Sequence, residues 1–364
     1  MLEQQLSDKR RIPGLDGLRA LSIVLVLISH LRTLPGFPRW SWLMAIATRG
    51  QIGVDIFFVI SGFLITWLLL QEEARTDRIN LNQFYVRRAF RILPPAFSYL
   101  AFVTLLVLLH ISSSTYRDIG AAALFFRNFG DNGHLDTGHF WSLAIEEQFY
   151  LTWPFLLVFL RKQARIPAVL VLIAMSTLFR YEYYRFFPHA TIGVFEFHYD
   201  GLLVGCLLAL AQQTLLAGYL NGKRVRSGWV AWAAVGIVML VISPIADKFP
   251  GRLTACIPGI EGICIALVIN FLIQPRVTLA HHVFDAPPVM WLGRLSYSLY
   301  LWQQLFCFRP GALACSFPLN ICLGLACAIF SYYCIEQPAL RLRQGLRSRR
   351  PLPQLEPALL SVAS

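Results

Sequence analysis

The chain has 364 residues, 56% of them apolar and only 14% charged, and its formal net charge is +12. Soluble domains carry charge on about a quarter of their residues. Lipid-facing surface tolerates almost none, so this composition excludes an ordinary water-facing domain. A basic balance suits nucleic acid, a membrane surface or an anionic substrate, and the distribution of charge decides among them.

A helix that crosses a bilayer needs about 20 mostly apolar residues. Candidate spans lie at roughly 15–33, 53–71, 92–111, 140–160, 166–181, 191–211, 228–245, 254–274, 289–307 and 317–335. They predict an all-α, polytopic transmembrane bundle of about ten spans with both termini cytoplasmic. The membrane domain is expected over 1–340, with a basic, poorly ordered cytoplasmic tail over 341–364. The first run has no small-residue cleavage site after it, so it reads as a retained span and not a signal peptide. The stretch from Ile119 to Phe129 is too short to cross and reads as a re-entrant or interfacial helix. With the amino terminus inside, inner lysines and arginines outnumber outer ones by about two to one. The positive charge is thereby explained without nucleic acid. The eight cysteines form no C-x-x-C pair and read as small core residues, not metal ligands. A disulfide between Cys307 and Cys315, which flank a short loop, is left open.

Five polar clusters interrupt the apolar runs, where ionisable groups are costly and suggest function. In the first span Asp16 and Arg19 share a helix face at the cytoplasmic end, and His30 lies about 21 Å further along. A histidine there either exchanges protons or makes a single interfacial hydrogen bond. Asp55 opens the second span at the level of His30. It either orients that imidazole, as a carboxylate does in hydrolase triads, or complements the helix dipole. Arg88 and Arg91 share a face at the start of the third span. They suit multidentate phosphate binding or simple membrane anchoring. The fourth span carries adjacent Glu146 and Glu147, and Ser142, Glu146 and Tyr150 form a stripe at four-residue spacing. Late in the chain come Arg294 to Gln303 and Glu336, an acid able to pair with an inner arginine.

Together these clusters resemble the acyltransferase-three family, the bacterial membrane O-acyltransferases that modify cell-surface sugars. The matching motifs are D-G-L-R-A from Asp16 with the later Ser29-His30, and G-V-D-x-F-F-x-x-S-G-F-L from Gly53. They continue with R-R-x-x-R-I-x-P from Arg87, W-S-L-x-x-E-E-Q-F-Y from Trp141, S-Y-S-L-Y-L-W from Ser296, and E-x-P from Glu336. Six motifs in order cover nearly the whole chain.

The resemblance implies that His30 is catalytic, with Asp55 and Glu146 beside it. It implies that Arg88 and Arg91 engage the acyl donor, joined at the same face by Arg19 and Glu336. The expected donor is cytoplasmic acyl-CoA, first of all acetyl-CoA, with no bound cofactor and no metal. The expected acceptor is a hydroxyl of a surface or exported carbohydrate or a lipid-linked glycan, and the expected location is the bacterial cytoplasmic membrane. Many relatives carry a fused extracytoplasmic hydrolase-like domain and this chain is expected to lack one, so transfer is expected to be completed by the membrane domain itself. His30 would act either as a general base or by becoming transiently acylated. Two positions depart from the family pattern. Gln303 stands where a histidine is frequent, so no catalytic role is assigned to it. His198 stands where an arginine is frequent, two before Asp200, which puts an ion pair there in doubt. The alternatives from other classes are a transporter or flippase of a lipid-linked sugar and a non-catalytic scaffold.

Overall fold

A computed structural model describes residues 12–129, 135–186, 199–214, 255–274, 278–307 and 313–348, together with Val235. In chain order the helices are α1 (Leu15–Leu31), α2 (Ser41–Ala47), α3 (Gln51–Thr76), α4 (Leu81–Leu108) and α5 (Tyr116–Ala123). They continue with α6 (Leu135–Gly138), α7 (Phe140–Phe159), α8 (Arg165–Phe186), α9 (Asp200–Ala211) and α10 (Ile257–Leu272). The last are α11 (Leu279–Phe284), α12 (Pro287–Trp302), α13 (Gln304–Cys307), α14 (Leu319–Ser331) and α15 (Gln337–Ser348). No strand occurs among the described residues. Four helical stretches are long and apolar enough to cross a membrane: Gln51–Thr76, Leu81–Leu108, Lys162–Tyr183 and Leu319–Gly345. Among its described residues the chain is all-helical, with the apolar helices of a multi-pass membrane protein.

The elements match most of the apolar runs, with informative differences. The third span was expected from residue 92, but α4 begins at Leu81, where the Asn80 side chain accepts from the Gln83 amide. The arginine-bearing turns are therefore helical too. The stretch after Thr115 is the eight-residue helix α5, closed by a reciprocal capping box between Thr115 and Asp118. The last span does not stop near 335. A π-helical turn, Tyr332–Glu336, joins α14 to α15, so residues 341–348 of the expected tail are helical. Cys307 and Cys315 are both free thiols. The expected span 228–245, the first part of 191–211, His198 and residues 349–364 lie outside the described residues.

The centre of the bundle is α3, with α1 on one side and α9 on the other, while α12 covers α1 and α10 covers α9. Absent side chains set these spacings. A Cβ at Gly62 would stand 1.9 Å from the Leu202 carbonyl oxygen. One at Gly205 would stand 2.2 Å from that of Val59, so α3 and α9 touch backbone to backbone at two reciprocal points. On the other side a Cβ at Gly293 would lie 1.8 Å from the Asp16 oxygen, which seats α12 against α1. Lipid tails supply no hydrophobic drive between helices, so close approach through small residues is what favours association.

Charge pairs mark one end of the bundle. Arg165 grips Glu73 with two bonds of 2.6 and 2.9 Å, and Arg87 reaches Glu72 at 2.9 Å. The opposite end holds His30 with Gln303, and Arg180 with Asp200.

The helix seams generate a stability prediction. Gly62→Ala and Gly293→Ala each force backbone apart, at a cost of about 1–3 kcal/mol. Gly345→Ala, where an added Cβ meets nothing within 4 Å, is expected to be neutral or mildly stabilising. Thermal unfolding of the purified variants in detergent measures this, and equal midpoints for Gly62→Ala and the unsubstituted protein would refute it.

Candidate active site

Two helices bring arginines to one cavity. Arg19 comes from α1, and Arg88 and Arg91 from successive turns of one face of α4. The intervening geometry sorts the neighbouring arginines. Arg87 turns away and pairs with Glu72, while Arg88 lies 4.4 Å over the Tyr150 ring, a cation–π contact. Arg19 is held by Asp16 at 2.9 Å, at the three-residue spacing expected of a helix. Neither Arg88 nor Arg91 makes an ion pair among the described residues. Arg19, Arg87, Arg127, Arg165, Arg180 and Arg185 all do.

Carboxylates and hydroxyls line the rest of the cavity. Glu146 and Glu147 both face it, as do Ser142 and Tyr150, so the stripe on α7 forms one wall. The Ser61 hydroxyl of α3 donates to Glu146 at 2.7 Å, and Arg19 and Arg88 lie within electrostatic reach of the same carboxylate. From α12 come Ser296, Tyr297 and Tyr300. Pro94 and Pro95 leave the carbonyls of the preceding turn of α4 without their usual donors. In that region the Tyr297 hydroxyl donates to the Ile92 carbonyl at 2.8 Å. Tyr300 and Ser142 share a hydrogen bond of 2.6 Å at the far end of the cavity. Glu336 does not line the cavity. It is buried behind Arg91, accepts from Ser298 at 3.1 Å, and is 2% exposed.

His30 lies three turns along α1 from Arg19, beyond the Tyr300–Ser142 end. Its described partner is Gln303, whose amide oxygen accepts from Nδ1 at 2.9 Å. The other amide atom of Gln303 donates to the Tyr300 carbonyl and the Gln304 side chain, both at 3.4 Å, which agrees with that orientation. A neutral His30 held this way carries its proton on Nδ1 and its lone pair on Nε2.

Asp55 does not orient His30. It is buried on the other flank of α3, among Gln51, Asp200, Glu261 and Arg180. Gly50 packs against Ser29 and Gly53 against Ser22, so Asp55 also lies deeper along α1 than His30. An ion pair does exist at Asp200, although His198 lies outside the described residues. Arg180 of α8 reaches the fully buried Asp200 carboxylate at 2.5 Å and the Ala255 carbonyl at 2.8 Å. The partner arrives from the preceding helix and not from two residues before.

The structure brings Arg19, Arg88, Arg91 and Glu146 to one cavity, whereas the resemblance had set Glu146 beside His30. Sequence reasoning missed Gln303 as the partner of His30. It also assigned no role to His139, a buried histidine at the start of α7, three residues before Ser142. The three-residue spacing was the available signal. Among the described residues no three His, Cys, Asp or Glu side chains gather as a metal site.

Residues 12–335 match a family model described as "Acyltransferase domain". The chain is 31% identical to the Bacillus subtilis (strain 168) protein named "Putative peptidoglycan O-acetyltransferase YrhL", over 93% of this chain and 56% of that protein. It is 30% identical to the O-acetyltransferase OatA of Staphylococcus aureus (strain NCTC 8325 / PS 47), over 82% of this chain and 51% of the relative. The chain thus spans about half the length of the curated relatives it matches. No solved structure matches it. A family match from residue 12 to residue 335, across every wall of the cavity, means that the chain belongs to the acyltransferase-three family.

Proposed function

We propose that the protein transfers an acyl group, acetyl first of all, from cytoplasmic acyl-CoA to a hydroxyl of a carbohydrate at or beyond the outer membrane face. The observation that carries this reading is the pair Arg88 and Arg91. They line a cavity without an ion-pair partner among the described residues, while the buried Arg165 and Arg180 are both paired. Guanidinium forks suit the phosphates of a nucleotide donor. Arg19, fixed by Asp16, adds a third.

The acyl-bearing arm would extend along the α7 wall, past Glu146 and Ser61, to Tyr300 and Ser142. Glu146 lies within electrostatic reach of the arginine set, so its part is to hold Arg19 and Arg88 toward the donor. His30 is the base. Its Nε2 lone pair takes the hydroxyl proton of the acceptor, the acceptor oxygen attacks the thioester carbonyl, and CoA leaves as the thiolate. Asp55 belongs to the charge cluster that ties α3 to α9.

The directions of the described helices support ten spans with both ends in the cytoplasm. Asp16 packs on Gly293 and His30 bonds Gln303, so α1 and α12 run the same way. That parity requires one more crossing than the described helices between them supply, and residues 228–245 are apolar enough to provide it. The arginine end then faces the cytoplasm of a bacterial inner membrane, where the donor is found. Peptidoglycan, named for the Bacillus subtilis relative, is the first acceptor to test. The transporter alternative gains nothing from relatives named as O-acetyltransferases.

Titration of the purified protein with acetyl-CoA tests the donor site. Arg88→Ala and Arg91→Ala should each weaken binding about tenfold to a hundredfold, the value of a charge-assisted hydrogen bond. Arg87→Ala, whose partner is Glu72, should leave it unchanged. A transporter or scaffold predicts no binding at all, and that result would end the donor assignment. His30→Ala should bind donor normally but lose about 10²–10⁴ of its transfer rate, followed with labelled acetyl-CoA. Mass spectrometry of muropeptides from cells with and without the gene reads the acceptor. Unchanged wall acetylation would remove peptidoglycan.

A further inference from the structure

His139 stands between the two halves of this site and is used by neither. It precedes α7 and is 3% exposed. Its ring packs edge-on against Tyr99 at 5.2 Å and against Tyr300 at 5.5 Å, with Phe140 at 4.9 Å. Among the described residues neither ring nitrogen has a hydrogen-bond partner. A purely structural histidine buried this deeply would be expected to bond at least one nitrogen to backbone or side chain. Its own carbonyl meanwhile lies 3.2 Å from both hydroxyls at the head of the cavity, Tyr300 and Ser142, and accepts from whichever of the two does not donate to the other. On its other side the imidazole lies within electrostatic reach of His30.

We propose that His139 is a proton-relay residue, the second imidazole of the transfer site, which carries the acceptor's proton from His30 toward the thiolate at the Tyr300–Ser142 end of the cavity. This rests on the acyl-transfer reading above. Such a path closes the proton balance within the site. Acyl transfer breaks an O–H bond at the acceptor and a C–S bond at the donor, and forms a C–O ester bond. The proton taken by His30 must end on the sulfur, or the enzyme finishes charged and the thiolate unprotonated. Gln303 fixes the tautomer of His30 but brings no negative charge to hold an imidazolium. Two imidazoles within electrostatic reach of each other can share one proton but resist carrying two. A neutral imidazole both accepts and donates. His139 takes the proton on one nitrogen and releases the proton of the other, the thiolate becomes thiol, and both histidines return to neutral.

The test compares His139→Gln and His139→Phe with the unsubstituted protein and with His30→Ala, all reconstituted with acetyl-CoA and an acceptor sugar. Glutamine keeps hydrogen bonding and phenylalanine keeps the ring packing, but neither relays a proton. Expected is a fall in kcat of about 10²-fold or more in both, with acetyl-CoA affinity unchanged. The solvent deuterium isotope effect on kcat should rise, and added imidazole should partly restore the smaller His139→Gly variant. Wild-type kcat in His139→Gln, or a loss matched by weakened donor binding with an unchanged isotope effect, overturns the relay. If His30→Ala is inactive while His139→Gln is normal, the relay fails and the transfer reading stands. If the unsubstituted protein transfers nothing, both fail.

Discussion

An ionisable side chain held away from water must find a partner, and this constraint organises the bundle. Removing one member of a buried pair leaves an uncompensated charge that costs about 3–5 kcal/mol. Arg165 with Glu73 and Arg180 with Asp200 obey the rule at opposite ends, and each ties an outer helix to the centre. Arg19 obeys it locally through Asp16. Against that background the condition of Arg88 and Arg91 stands out. One rests on an aromatic face and the other lies in front of Glu336, yet neither is closed into an ion pair. A cavity lined by such groups is suited to an anion that is not part of the chain.

Backbone contact gives the cavity its walls. Because α3 and α9 meet through Gly62 and Gly205, and α12 meets α1 through Gly293, little room is spent on side chains in those seams. The bulky residues are displaced to the α4–α7–α12 side, where Phe57, Phe58 and the tyrosines surround the polar stripe. The same seams run α1 and α12 side by side in one direction. This carries His30 to Gln303 at one end and sets Asp16 against Gly293 at the other.

Much of the site was legible because helical spacing fixes which side chains share a face. Arg88 with Arg91, and Ser142 with Glu146 and Tyr150, were read from spacing, and all five line the cavity. Spacing gives height and direction only within one helix. Asp55 was expected at the height of His30, but Gly53 meets Ser22 and not Ser29, so Asp55 lies deeper along α1, and the seam of Gly62 with α9 turns it toward Arg180. The Arg180–Asp200 pair escaped for the same reason, since nothing local links residues twenty positions apart on different helices. Apolar runs located spans but not their polar ends. The arginine-bearing start of α4 and the extension to Ser348 are helical without being lipid-like.

The parallel seam between α1 and α12 has a consequence for scale. Two helices pressed together through glycine cannot slide or telescope without breaking backbone contact. The interval from the guanidinium mouth to the imidazole is therefore a fixed gauge, about 16 Å at helical rise. A carrier anchored by its phosphates is measured against that gauge. One with too short a tether would dock and deliver nothing, so the bundle can select its cargo by reach as well as by charge.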